Sequence, residues 1–449
     1  MSVQDSDASQ LGQNEVLVSP TKALFVEMLT RDLPLDLAVT DLVDNSVDGA
    51  RRLRPGDDES LEGLHIILSI GGEKFSIEDN CGGIPIDLAQ TKAFRFGRTR
   101  DAAPTPHSVG QFGVGMKRAL FKFGRLFTVS SISKDSKFEL TVDVDEWEDE
   151  KTPWVFKFSS AERNLQIPAD QTGTTILVKR LRTDAVNNFS RADFINNLMR
   201  TIQEAQQQYL GRGLMIICNG IHLSTIPWTV LQGPSLIPAF IDETITTNDH
   251  PQIRIRVCVG INESNPGQAG WYISCNGRIV LSADQTDRTG WSQTTETSKV
   301  PQYHNQFSRF RGYTFFDSED ASQLPWNTTK DDIDIDSAVY QHAMRKMVTM
   351  MRPVIDFLNA LDAEDRDAGV GTPLSDAIEK AKPVAVRDVR NTSAFASPPR
   401  AAAPPLAHIA YSKERSKVAA LQTALSAASN KQVGIKTFDL AYQQFVGEE

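Results

Sequence analysis

The chain has 449 residues, 40% hydrophobic and 23% charged, with a formal net charge of -10, which suffices for two or three globular domains and excludes wholesale disorder. No apolar run approaches the roughly 20 residues that cross a bilayer, and the first twenty residues are polar and acidic where a signal peptide would be basic and then apolar, so a cytoplasmic protein without membrane contact is expected. Cys81, Cys218, Cys258 and Cys275 have no CxxC spacing and no paired histidines, so they read as reduced, buried thiols and indicate neither a zinc site nor a disulfide framework.

Residues 1–19 form a polar arm. Ser19-Pro20-Thr21 then starts a helix over 22–29. From Leu35, apolar residues (Leu35, Ala38, Val39, Leu42, Val43, Ala50) recur at helical spacing, while Asp41, Asn45 and Asp48 fall at i, i+4 and i+7. This row of oxygen acceptors on one helix face calls for something electropositive opposite. After a charged loop at 51–63, strands at 64–70 and 74–79 flank a Gly71-Gly72 turn and deliver Asp79 to the end of a sheet, just before Cys81-Gly82-Gly83. Residues 93–108 carry Arg95, Arg98 and Arg100, two prolines and no periodicity, the features of a mobile lid in which His107 is a polar loop residue. Gly110-Gln111-Phe112-Gly113-Val114-Gly115-Met116-Lys117 puts three glycines in six residues ahead of an apolar helix at 116–123. Glycines there let backbone N–H groups approach a phosphate at the positive end of a helix. Strands at 126–132, 138–144, 155–159 and 174–181 complete an antiparallel sheet with helices on one face.

A helix over 189–209 leads into a second region with strands at 214–218, 221–223, 252–259 and 270–280, the last interrupted by an Asn276-Gly277 pair that favours a type I′ turn. Lys330 follows a Pro-Trp-Asn-Thr-Thr turn in an acidic loop. A helix over 337–361 bears an apolar stripe (Val339, Ala343, Met347, Met351, Val354, Leu358 among it) that suits a core or a dimer seam. Residues 363–407 read as a Pro/Ala-rich basic linker, stiffened by Pro398-Pro399 and Pro404-Pro405. Between 377 and 417 there are eight Lys or Arg against three Asp or Glu, either a tether for nucleic acid or a solvated linker. Residues 408–449 offer a short strand at 409–411 and helices at 416–428 and 432–445, which fit a helical hairpin for oligomerisation or a ribbon-helix-helix DNA module.

In this order and spacing the motifs resemble the GHKL ATPases: gyrase B, the heat-shock chaperone, histidine kinases and MutL. GQFGVG, Gly110 to Gly115, is similar to the chaperone's version, DLVDNSVDGA to the first motif of the MORC and MutL branches, and Gly173-Thr174 to the family's fourth motif. The resemblance implies an α+β fold: a Bergerat α/β sandwich ATPase domain over 20–205, a mixed α/β transducer-like domain over 206–362 that ends in a long helix, then the linker and a small helical C-terminal module. It implies ATP and Mg²⁺ as ligands, with Asn45 on the metal, Asp79 accepting from the adenine amino group, Gly83 against the base and Thr174 in the water network around it. Asp48 and Gly110, Gln111, Phe112, Gly113, Val114, Gly115, Met116 and Lys117 would complete the nucleotide site, and Lys330 would reach the γ-phosphate from the second domain. Asp41 stands where the family places the glutamate that activates water, shorter by one methylene, and Cys81 stands at the turn's first glycine. The activity implied is slow hydrolysis of ATP to ADP and phosphate by a switch that forms a homodimer on ATP and acts on DNA or a DNA-processing protein. Restriction or phage defence is a frequent context for the bacterial members that resemble it. Alternatives are an ATP-binding pseudo-ATPase or chaperone-like interaction protein, and a protein kinase, which lacks support because residues 1–40 contain no histidine.

Overall fold

The computed structural model describes residues 20–56, 59–96, 109, 115–149, 151–246, 252–294, 299–327, 329–364, 372–390, 394–400 and 407–447. Two compact units divide the chain, Met1–Arg400 and Ala401–Glu449.

In the larger unit, α1 (Lys22–Arg31) and α2 (Leu35–Leu53) come first. The apolar face predicted for α2 is buried at Leu35, Ala38, Val39, Leu42, Val43 and Ala50, and Val47 is buried with it. Strands β1 (His65–Ile70) and β2 (Phe75–Asp79) form the expected hairpin. They are followed by α3 (Gly115–Phe123), β3 (Gly124–Ile132), β4 (Ser136–Asp143), β5 (Phe158–Arg163) and β6 (Gly173–Leu181). The helix expected over 189–209 breaks into α4 (Thr183–Phe189), α5 (Ala192–Ala205) and a short turn at Gln207–Leu210. Next come β7 (Met215–Cys218) and β8 (Ile221–His222), and the first sheet runs β5-β4-β3-β6-β2-β1-β7-β8. Its pairs are antiparallel except β1 with β7, which is parallel. This differs from the sequence reading, which puts 214–223 beyond the ATPase domain and makes the first sheet purely antiparallel. Alternating burial tells a strand from a helix but says nothing of which sheet the strand joins, and a parallel partner lies a whole crossover away.

The second sheet, β10-β11-β14-β12-β13, is built from β10 (Ala239–Ile245), β11 (Ile253–Ile261), β12 (Gly270–Cys275), β13 (Arg278–Asp284) and β14 (Phe310–Ser318), numbered after β9 (Thr229–Gln232). Helix α6 (Ala338–Glu364) packs on β11 and β14, and its stripe of Ala343, Met347, Met351, Val354 and Leu358 is buried as core. Residues 363–407 depart from the linker reading: α7 (Pro373–Lys380) packs on α6, and β15 (Lys382–Ala385) pairs with β9. Leu374, Ala377, Val386 and Val389 bury here, because the Pro and Ala of this stretch are spaced by enough apolar residues to anchor it.

In the smaller unit, α8 (Arg415–Ala424) and α9 (Asn430–Phe445) form a helical hairpin, the latter capped by Ser429. Residues 407–414 contain no strand, so the ribbon expected at 409–411 is not formed in the single chain. Val433 is the one buried side chain among the unit's described residues.

Close approach between α2 and the turn after β2 positions everything that follows. A Cβ on Gly49 would stand 2.4 Å from the Cys81 carbonyl oxygen, backbone that cannot swing aside. Gly49→Ala should therefore destabilise the protein by about 1–3 kcal/mol through overpacking, read as a lower midpoint in urea denaturation. An unchanged midpoint would mean that α2 and the turn are not in contact.

Candidate functional site

Helix α2 carries the acidic row, and the structure divides its members by environment. Asn45 is exposed. Asp48 is buried, and its Oδ1 accepts from the Val109 backbone N–H at 2.7 Å. Asp41 is partly buried, and Gly115, the first residue of α3, lies so near that an added Cβ would sit 2.9 Å from Asp41 Oδ2. The last glycine of the third motif thus brings the positive end of α3 onto the first acidic residue of the first motif.

The second motif closes on the same helix. Asp79, the last residue of β2, accepts from Ser46 Oγ at 2.6 Å and from the Cys81 backbone N–H at 2.9 Å. Burial raises its pKa, against the lowering effect of these bonds, of the Thr174 backbone N–H and of Arg52. Thr174 is paired with Asp79 in the sheet, and its hydroxyl lies 2.9 Å from Ser131 Oγ, which accepts from the Ile84 N–H at 2.7 Å. Gly83, at φ +66°, has no room for a side chain, since a Cβ would fall 2.0 Å from the Ile132 carbonyl oxygen. A carboxylate, a hydroxyl and close-packed backbone therefore share one end of the sheet. The carboxylate keeps acceptor capacity for a further donor.

Lys330 comes to α2 from the loop between β14 and α6. Its loop follows the buried Trp326, which bridges to Ile333, and the Lys330 backbone is held left-handed at φ +57°. The carboxylates beside it are occupied close by: Asp331 accepts from Asn327 and Thr329, and Asp332 pairs with Arg288 at 2.7 Å. The Lys330 ammonium instead reaches Asp41 Oδ1 at 2.9 Å and Asp44 Oδ2 at 2.7 Å, with the lysine side chain 7% exposed. Asp44, 1% exposed, also receives Gln206 Nε2 at 2.7 Å and stands 3.2 Å from Arg278 Nε in an ion pair rather than an aligned hydrogen bond. Burial alone would raise the Asp44 pKa, but Lys330 and Arg278 hold it below the usual carboxylate value. Burial likewise opposes the Lys330 charge, and Asp44 and Asp41 more than restore it, so its pKa is raised.

The β12–β13 turn docks beside this cluster. Asn276 and Gly277 take φ +48° and +82°, as a type I′ turn requires. Arg51 at the end of α2 donates to the Asn276 carbonyl at 2.8 Å and to Tyr209 Oη at 3.1 Å. Arg278, the next residue, meets Asp44. Asp44, Gln206, Arg278, Arg51 and Ser46 are site residues that the sequence reading did not assign. A signal for Asp44 was present: it stands three residues after Asp41 and four before Asp48, on the same helix face as the acidic row.

Gly110, Gln111, Phe112, Gly113 and Val114 lie outside the described residues, as do the lid from residue 97 to 108, His107 included, and the arm at 1–19. Met116 is buried. Lys117 is buried too and donates to the Ala93 carbonyl at 2.7 Å, with its ammonium 5.9 Å from the Phe96 ring centroid, so it is not gathered with Lys330 on the acidic face. All four cysteines are buried thiols without a disulfide. Among the described residues no three His, Cys, Asp or Glu side chains form a metal cage. That fits Mg²⁺ only as an ion held largely by phosphate and water with one exposed amide oxygen, as at Asn45.

Residues 34–174 match the family model described as histidine kinase-, DNA gyrase B-, and HSP90-like ATPase. The match begins one residue before α2, ends on Thr174 and covers about a third of the chain. This stretch carries a GHKL-type ATPase domain, and ATP binding is the property that goes with it. No curated protein matches the chain. Among the described residues no helix is long and apolar enough to cross a membrane.

Burial lowers the Lys117 pKa from 10.5 to about 7. The unfolded chain therefore binds the additional proton between those values, and folding stability rises with pH through that window. Lys117→Met removes this dependence. Wild type should gain stability relative to the variant as pH rises from neutral towards 10.5, measured by urea titration at several pH values. Parallel curves for the two proteins would show that the ammonium stays charged in the fold.

Proposed function

We propose that the chain is an ATP-driven conformational switch of the MORC and MutL type, with a transducer-like second domain that reports the nucleotide's γ-phosphate. One observation carries this reading: Lys330, on a loop of the second domain, lies against Asp41 and Asp44 on the helix that bears the first ATPase motif. In this reading Asp79 accepts from the adenine amino group, Gly83 admits the base by its missing side chain, and Thr174 orders water beside it. Residues 110–117 cradle the phosphates, with Gly115 at the α3 N-terminus and Asp48 tying Val109 in place. Asn45 would hold Mg²⁺, which neutralises phosphate charge when bound. Asp41 is the base that takes a proton from the attacking water, and Lys330 stabilises the charge that develops on the γ-phosphate.

The working form is a cytoplasmic dimer closed by ATP, and its partner is DNA or a DNA-processing protein in a restriction or phage-defence setting. These finer points rest on the family resemblance. A non-hydrolysing version of the same switch is favoured by a single feature, the short Asp41 side chain already engaged by Lys330.

Asn45→Ala and Asp79→Ala should each abolish the thermal stabilisation that Mg-ATP confers on wild type, through loss of the metal ligand and the adenine acceptor. Stabilisation retained in either variant would remove that residue from the site. Asp41→Asn should still bind ATP and lose phosphate release, since the proton acceptor is gone while Asp44 still holds Lys330. Turnover at the wild-type rate would place the base elsewhere, and turnover absent from wild type itself would select the non-hydrolysing switch.

A further inference from the structure

Two carboxylates share the Lys330 ammonium, and they are not equivalent. Asp44 is 1% exposed and Asp41 14%. Asp44 is also the shorter contact, at 2.7 Å against 2.9 Å, and it is held by Gln206 and Arg278 from two further elements. An anion arriving from solvent competes first with the carboxylate that solvent already screens, because charge pairs strengthen as water is excluded. A lysine ammonium is a compact charge on a flexible stem with three donors, so it can exchange one acceptor while keeping another.

We propose that Asp44 is the positioning residue for Lys330, keeping its hold on the ammonium while Asp41 yields its share to the γ-phosphate. The inference rests on the reading of Lys330 given above. Without nucleotide, Lys330 covers Asp41 Oδ1 and withholds it from water. With a triphosphate bound, the ammonium pivots on Asp44 towards the phosphate and leaves Asp41 as an open acceptor. ADP offers no γ-phosphate and does not draw the ammonium away. Because Asp44 also faces Arg278, the same exchange is felt at the β12–β13 turn, so one buried carboxylate serves two loops of the second domain.

The test compares affinities for ADP and for a non-hydrolysable ATP analogue, by calorimetry on the full chain, in wild type, Asp44→Asn, Lys330→Ala and the double variant. Asp44→Asn should weaken the analogue by roughly tenfold and leave ADP within about twofold, the size of an ordinary coupling between sites. The double variant should lose no more than Lys330→Ala, since Asp44 acts through Lys330. Should Asp44→Asn fail to fold with two cations facing a neutral amide, Asp44→Asn combined with Arg278→Gln removes one charge of each sign and takes its place. Equal losses for both nucleotides, or a loss that adds to that of Lys330→Ala, would overturn the role of Asp44 while leaving the γ-phosphate contact standing. If Lys330→Ala itself treats ADP and the analogue alike, the sensor reading fails first and the exchange falls with it.

Discussion

A buried charge cluster ties α2 to the second sheet: Asp41 and Asp44 from α2, Lys330 from the loop before α6 and Arg278 from the start of β13. Its formal charges cancel, which is the condition for burying four ionic groups together. Deleting one member of such a cluster costs about 3–5 kcal/mol because the others are left uncompensated, whereas an apolar replacement of the whole is often no less stable. Stability is therefore a poor reason for its presence. What the cluster does supply is a tie between elements far apart in sequence, since the Lys330 loop and the β12–β13 turn both meet Asp44 of α2.

The rest of the candidate site is organised by backbone proximity rather than by charge. Gly49 against the Cys81 carbonyl, Gly83 against Ile132 and Gly173 against Asp79 are places where a Cβ would meet backbone oxygen at 2.4 Å or less. Each removes a side chain where helix, turn and strand converge. Asp79 is then fixed from both sides, by Ser46 of α2 and by its pairing with Thr174 of β6. The end of the sheet at Asp79 is thus closed by backbone, whereas the face of α2 at Asp41 and Asp44 meets charges that are already committed to one another.

Legibility in the sequence follows the range of the interactions. The acidic face of α2, the delivery of Asp79 by a hairpin and the type I′ turn at Asn276-Gly277 depend on spacing within a few residues and could be read directly. Lys330 was legible only through the resemblance of its loop to a transducer loop. Composition around it, with Asp331 and Asp332 adjacent, suggests a local salt bridge that the fold does not make. Asp44 shares the face of Asp41 and Asp48, but helical spacing says only which side chains are neighbours and names no partner from 286 residues away. The parallel strand β7 and the pairing of β15 with β9 were hidden for a related reason: both depend on contacts across long stretches of chain that leave no periodic mark.

Charge balance decides how such a site can respond to a ligand. Asp44 is neutralised by Lys330 and Arg278, and Lys330 spends its charge on two carboxylates at once. A triphosphate that binds against α2 in the proposed manner cannot draw on Lys330 without taking it from Asp41, so part of its binding energy goes into rearranging the domain contact. A ligand shifts an equilibrium only by the difference in its affinity for the two states. Here that difference would reside in a single phosphate group, and Asp44, which need not let go, keeps the second domain attached during the exchange. Under the proposed exchange, nucleotide identity would be read by swapping one acceptor of one ammonium, without the cost of breaking the whole buried cluster.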